Sequence, residues 1–250
     1  MRVKTIQAFF ISLLFMGTAH AQTDTGFEGF LYGGQEDAEL LIDSYMEPFL
    51  KGMGMGFNSG WYNTAQPHKS LGFDITFSAN FAYVPTEQQI FRFDENNFNY
   101  TSLQGASDAN LPTIAGGATN SVLVVSTDTL GFPLELARYG APDGVYSPNV
   151  YDGAFKNTVP SPIIQAGIGI VKGTEVKIRW MPTISQEEFS FKYFGIGGMH
   201  SISQWLPGFK DLPIDISAFV GYTNIDARYA IPAGSIGGEN QQANFKVNTF

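Results

Sequence analysis

The chain contains no cysteine. That excludes disulfides, thiol catalysis, zinc–thiolate sites and a lipoprotein anchor, so the fold must be held by packing or by a closed sheet. Charge is scarce as well. Asp, Glu, Lys and Arg make up 15% of the 250 residues, against about 25% in typical soluble domains. Basic residues are the rarer sign, 14 against 23 acidic, for a formal net charge of −9. A nucleic-acid-binding face needs clustered basic residues, so nucleic acid is not an expected partner. Long apolar runs are missing beyond residue 16. No later stretch approaches the ~18 apolar residues of a membrane helix, so any crossing of a bilayer has to use strands.

Catalytic signatures are also lacking. There are three histidines, His20, His68 and His200. None stands in H-E-x-x-H or another metal spacing, and no G-x-S-x-G elbow marks a nucleophile. The acidic run Asp94-Glu95-Asn96-Asn97 lacks the ligand spacing of an EF-hand loop. The expectation is that the protein is not an enzyme and has no cofactor and no metal.

What is present begins with an export signal. Arg2 and Lys4 form a positive start, Ile6 to Met16 an apolar core, and Ala19-His20-Ala21 a cleavage site. Residues 1–21 therefore read as a secretory signal peptide. Its removal takes two basic residues, and 12 minus 23 leaves −11. Aromatics reach 14%, with 22 Phe, and there are 28 Gly. Mean hydropathy is nevertheless only −0.04. Little charge, much Phe and Gly and no long apolar run fit a transmembrane β-barrel, in which apolar residues alternate with polar ones.

Along the chain, residues 22–51 read as a tail and a plug-like helix. The helix spans Glu36 to Leu50, with Leu40, Leu41, Tyr45 and Phe49 on its apolar face, and Pro48 and Gly52 close it. From Gly52 the period becomes two: Met53, Met55, Phe57, Ser59 and Trp61 alternate with Gly52, Gly54, Gly56 and Asn58. That predicts a strand whose glycines admit a close neighbour. Residues 52–250 read as the barrel, with an irregular stretch at about 85–161.

The strongest strand is Leu71 to Val84, where Phe73, Ile75, Phe77 and Phe81 oppose Asp74, Thr76 and Asn80. It is about twice the average length of soluble strands. Pro162 to Trp180 reads as a hairpin turning at Lys172-Gly173, with Val176, Ile178 and Trp180 opposite Glu175, Lys177 and Arg179. Phe189, Phe191 and Tyr193 oppose Ser190 and Lys192. Met199 to Leu206 reads as a short helix. Ile214, Ile216 and Val220 then oppose Asp215. Asn224 to Glu239 reads as a loop and Asn240 to Phe250 as a last strand. Because seven or eight strands are counted and Phe250 has the parity of Asn248 and Lys246, the barrel is expected to be C-terminally incomplete.

The resulting fold class is all-β, a transmembrane antiparallel barrel with a short N-terminal helix. Asp74, Thr76, Asn80, Glu175, Lys177, Arg179, Lys192 and Asp215 are its expected lumen-facing residues. Phe73, Ile75, Phe77, Phe81, Val176, Ile178, Trp180, Ile214, Ile216 and Val220 are expected to face lipid.

Three stretches carry a resemblance: Ser44 to Phe49 running into Gly52–Trp61, Pro162 to Pro182, and His200 to Pro207. Over most of residues 36–250 the chain resembles an uncharacterised family of bacterial outer-membrane β-barrels. That family is remotely similar to the outer-membrane long-chain fatty-acid transporters. The resemblance implies several strands beyond residue 250. The transporters' Asn-Pro start near the mature N-terminus is absent, so none of their ligand-gating residues is carried over. The expected function is a passive channel or transporter for small hydrophobic molecules such as fatty acids, with an apolar pocket beside Met53, Met55 or the helix. The alternative is a structural or surface-interaction barrel with a filled lumen. The expected partners are outer-membrane lipids, the barrel-assembly machinery and a small hydrophobic ligand.

Overall fold

A computed structural model describes residues 27–105, 108–129, 132–144, 157–186, 189–207, 212–231 and 241–250. The expected signal peptide, residues 22–26 of the tail, residues 145–156 of the irregular stretch and residues 232–239 of the later loop lie outside the described residues. The fold is mostly antiparallel β-sheet around one α-helix.

That helix, α1 (Gly34–Asn58), has 25 residues and follows a 3-10 segment at Phe27–Gly33. It runs straight through Pro48 and the Gly-Met-Gly-Met-Gly segment, which overturns both the predicted stop at Leu50 and the predicted strand from Gly52. Each mid-helix glycine costs about 1 kcal/mol relative to alanine, so tertiary packing has to supply the difference. It does so at spacing four. Gly52 and Gly56 lie against a later strand, Thr158–Gly169: a Cβ on Gly52 would sit 2.6 Å from Val159, and one on Gly56 would collide with the Ser161 side chain. Met53 and Phe57, also four apart, are buried among Val159, Ile163, Met181, Phe191 and Tyr193. The same alternation that suggests a strand is thus two helical stripes, one for close approach and one for core.

The main sheet has six antiparallel strands in the order β1-β7-β8-β9-β10-β11. They are β1 (Phe73–Tyr83), β7 (Thr158–Gly169), β8 (Thr174–Gln186), β9 (Phe189–Ser201), β10 (Ser217–Ile231) and β11 (Gln241–Thr249). Between β1 and β7 the chain builds two small sheets. One pairs β2 (Ile90–Asp94) with β4 (Asp108–Pro112); the other is β3 (Thr101–Leu103), β5 (Val122–Thr129) and β6 (Phe132–Gly140). The supposed irregular stretch therefore carries five strands. They are short, and Pro133, Pro112 and the many glycines mask their alternation. Other corrections are local. β9 continues to Ser201, so the predicted helix at Met199 shrinks to a 3-10 turn at Ser203–Trp205, and β10 occupies much of the predicted loop after Asn224.

Two cores share α1. Its N-terminal half, through Leu41, Ile42 and Tyr45, packs with Phe93, Leu103, Leu111, Leu123, Val125 and Tyr139 of the small sheets. Asp37, in the first turn, is buried rather than on the solvent face. Its carboxylate accepts three backbone N–H groups, from Asn99, Tyr100 and Thr101, at 2.8 to 2.9 Å. The negative charge also lies at the positive end of the helix dipole.

The C-terminal half of α1 packs against β7 and β1 and also against β10 and β11. Six flat strands would place the two edges roughly 24 Å apart at ~4.8 Å per strand, while a helix with side chains is only about 10–12 Å wide. Both edges reach the same last turns of α1. Asn80 of β1 donates to the Gly56 carbonyl at 2.8 Å, Asn58 donates to the Phe250 carbonyl at 3.1 Å, and Val247 and Thr249 lie beside Gly54. The sheet is therefore strongly curled around the helix, although β1 and β11 are not paired with each other among the described residues.

Two substitutions test this packing by urea unfolding, followed by far-UV circular dichroism. Gly56→Leu is expected to push α1 off β7 and lower stability by about 2–3 kcal/mol, as overpacking does. Asp37→Ala leaves three buried donors without their charged acceptor and is expected to cost about 3 kcal/mol, with Asp37→Asn milder.

Candidate functional site

The two faces of the main sheet have opposite chemistry, and register explains how. Counting across hydrogen-bonded partners, Ile75, Ala166, Ile178, Ile196 and Tyr222 form one row on the outer face. The neighbouring rows on the face toward α1 read Asp74, Gly167, Lys177, Gly197, Gly221 and Thr76, Gln165, Arg179, Gly195, Thr223. In these rows the polar and charged side chains are on the inside and exposed apolar ones on the outside; nearer the other end of the strands the inner face is apolar, with Val159, Ile163, Met181, Phe191, Tyr193 and Ile225 against α1.

Six of the eight residues predicted to face the lumen, Asp74, Thr76, Asn80, Glu175, Lys177 and Arg179, share the inner face. Lys192 does not. On β9 the odd-numbered residues Phe191 and Tyr193 turn inward onto Phe57, leaving Lys192 outward beside Asp226, 3.6 Å away. The expectation fails because it put these aromatics outside, whereas the helix provides an apolar partner inside. A bulge between Met181 and Ile184 in β8 likewise lets both residues face the core. Asp215 precedes β10 in an exposed segment and accepts from Gln66 at 2.6 Å. Ile214 and Ile216 lie in that same segment, exposed but outside any strand. The remaining apolar residues, Phe73, Ile75, Phe77, Phe81, Val176, Ile178, Trp180 and Val220, are all on the outer face, from half-buried Val176 to Phe73 at 74% exposure.

Arg179 is the centre of the inner face and has no exposed surface. Its guanidinium donates to the Phe57 carbonyl, to the Ser59 carbonyl at 2.8 Å and to Gln165 Oε1 at 2.8 Å. Its plane lies 3.7 Å from the Trp61 ring centre. The last carbonyls of a helix have no partner within it and carry the negative end of its dipole. The last turn of α1 holds no basic residue, so the sheet supplies the cation instead. Trp61 in turn fits a bay floored by Gly195, Gly197 and Gly221, where a Cβ would meet its indole at 2.9 to 3.2 Å.

After α1 the chain crosses the open end of the sheet as an extended strap, residues 59–72. Strap and sheet enclose a cavity of about 390 Å³, lined among others by Trp61, Tyr62, Gln66, His68, Asp74 and Lys177. Lys177 Nζ lies 3.3 Å from Glu175 Oε1, 3.6 Å from Asp74 Oδ1 and 4.7 Å from the Tyr62 ring centre. His68 bonds Glu175 Oε2 twice, through its backbone N–H at 2.8 Å and Nδ1 at 3.0 Å. Burial pushes the Tyr62 phenol well up from its ordinary value, and the Glu175 and Asp74 carboxylates push it further. Tyr62 is therefore a neutral hydroxyl at any physiological pH. The cavity lies at the strap, where the Trp61 and Tyr62 rings line it together with polar and charged residues. Of the residues beside which an apolar pocket is expected, Met53 is buried in the core and Met55 is exposed on the opposite side of α1.

Sequence reasoning missed Trp61, Tyr62, His68, Gln165 and Asp37. His68 stands six residues from Asp74 and 107 from Glu175, so no local spacing announces the cluster.

Over residues 1–250 the chain matches a single family model, described as a family of unknown function, DUF6588. The chain belongs to this family. No curated protein and no solved structure matches it.

The Arg179 cap gives a direct test. Arg179→Met leaves the Phe57 and Ser59 carbonyls and Gln165 without their donor and is expected to cost about 3–5 kcal/mol in urea unfolding, as removal of a buried charged partner does. Arg179→Lys keeps the charge but not the fork, and is expected to fall between the two.

Proposed function

We propose that this protein is an outer-membrane β-barrel whose lumen is filled by its own N-terminal helix, serving a structural or surface-interaction role rather than providing an open channel. The observation that carries this reading is the inverted polarity of the sheet. Buried Arg179, Glu175 and Lys177 face inward, and a field of Phe, Ile, Trp and Val faces outward over β1, β7, β8 and the adjoining parts of β9 and β10, giving way to Lys192, Asp226, Arg228, Asn244 and Lys246 toward β11. A soluble protein has no reason to expose Phe73, Phe77, Trp180 and Val220 together while burying Arg179. In lipid the arrangement is the expected one.

Three further features support it. The strands of the main sheet run 9 to 15 residues, and about 9–11 tilted residues cross a bilayer. The sheet already curls around α1. The sequence begins with an export signal. Lipid tolerates no unpaired sheet edge, so in the membrane the edges at β1 and β11, unpaired with each other among the described residues, have to be closed, directly or through further strands. Filling is favoured over transport of hydrophobic molecules by the burial of Met53 and Phe57 in the core between helix and sheet and by the charged residues Asp74, Glu175 and Lys177 among those lining the cavity under the strap.

Heat-modifiable gel mobility of the protein from outer-membrane fractions tests the barrel: the unboiled band is expected to run ahead of the boiled one. Phe77→Arg adds a second test. Phe77 is 67% exposed, and a soluble protein would absorb the change within about 0.5 kcal/mol. On a lipid face near the midplane it is expected to cost about 2–4 kcal/mol. Liposomes carrying the folded protein are expected to pass neither fatty acids nor small solutes. A soluble periplasmic product with one gel band sinks the proposal, and rapid flux sinks the filled lumen alone.

A further inference from the structure

We infer that the cavity under the strap is a binding site for a divalent transition metal of the zinc class, held by His68, Asp74 and Glu175. The three residues come from three separate elements: the strap, β1 and β8. One imidazole nitrogen and one carboxylate oxygen from each acid lie within 4.8 Å of one another. His68 Nδ1 is 3.0 Å from Glu175 Oε2 and 3.7 Å from Asp74 Oδ1. One nitrogen and two carboxylates, with an adjoining cavity for water, is the donor set of an open three-ligand site.

The independent sign is unused acceptor capacity. Glu175 is only 1% exposed, yet its Oε1 takes part in no hydrogen bond, and neither does the buried Asp74 Oδ1. Buried carboxylate oxygens normally have partners. Both point at the same space. Among the described residues the ammonium facing both is that of Lys177, 3.3 Å from Glu175 Oε1 and 3.6 Å from Asp74 Oδ1, so two carboxylates face one ammonium and a formal negative charge is left over. Gly167 keeps that space open. A Cβ there would strike Asp74 Oδ1 and come within 3.1 Å of Glu175 Oε1 and Lys177. The half-exposed imidazole of His68 gives an entry path from solvent.

On this reading Lys177 is a built-in competitor, and the metal ties the strap to two strands of the sheet. The site does not depend on the membrane assignment, since the same three side chains would bind zinc in any folded form of the chain. The probe is zinc itself, titrated calorimetrically into full-length, chelator-stripped protein whose folding is checked separately by circular dichroism. One zinc per chain is expected. His68→Ala, which removes a half-exposed side chain, and the near-isosteric Glu175→Gln are each expected to weaken binding at least about tenfold. Lys177→Met is expected to strengthen it. X-ray absorption on the zinc-loaded protein is expected to show imidazole in a nitrogen–oxygen shell at about 2.0–2.1 Å. Absence of zinc uptake by the folded protein, unchanged affinity in His68→Ala or a shell without imidazole overturns the proposal.

Discussion

The interaction on which the rest of this structure depends is the fork of Arg179 on the end of α1. One side chain satisfies two carbonyls, orients Gln165 and stacks on Trp61. The helix ends without a basic residue of its own, so its dipole and its orphan carbonyls need an outside cation. A guanidinium buried without these partners would be untenable in so dry a place. Helix end and arginine thus require each other. That mutual need fixes where α1 stops, where the strap begins and which face of β8 looks inward.

The second constraint is steric. β7 approaches α1 closely because Gly52 and Gly56 offer no side chain, and Trp61 lies flat because Gly195, Gly197 and Gly221 offer none. Glycine here gives room for large neighbours and keeps the interior solid without bulky residues on every strand. The polar groups of the inner face follow from this crowding. Partly or wholly shielded from water, they bond the helix end, the strap or each other. Asn80 reaches Gly56, Gln165 reaches Trp61 and His68 reaches Glu175. The cavity is the place where this mutual satisfaction stops short, and its two idle carboxylate oxygens make it the chemically distinctive point of the inner face.

A barrel stoppered by its own N-terminal segment would combine these features economically. The outer surface needs only to be apolar, and the interior can be as polar as a soluble surface provided each group finds a partner. The small sheets between β1 and β7 pack on the N-terminal half of α1 and are tied to it by Asp37. Helix, insertion and main sheet therefore share one continuous support. In the proposed membrane setting this makes α1 a fixed axis of the fold.

The sequence by itself determined the two-faced strands. β1 and the β7–β8 hairpin were legible because their alternation runs for many residues and because opposite faces meet opposite surroundings along their whole length. Six inner-face residues from Asp74 to Arg179 followed from that parity. Only the tertiary structure decided the rest. Gly52 to Gly56 has a period of two in sequence and a period of four in space, and the choice belongs to β7 and Arg179, more than 100 residues away. Phe191 and Tyr193 face inward because a helix lies there to receive them, which turns Lys192 out. His68 joins Asp74 and Glu175 because the strap folds back across β8, and no spacing along the chain records that crossing. Periodicity reports the chemistry of each face, but which neighbour a face meets is settled by contacts distant in sequence.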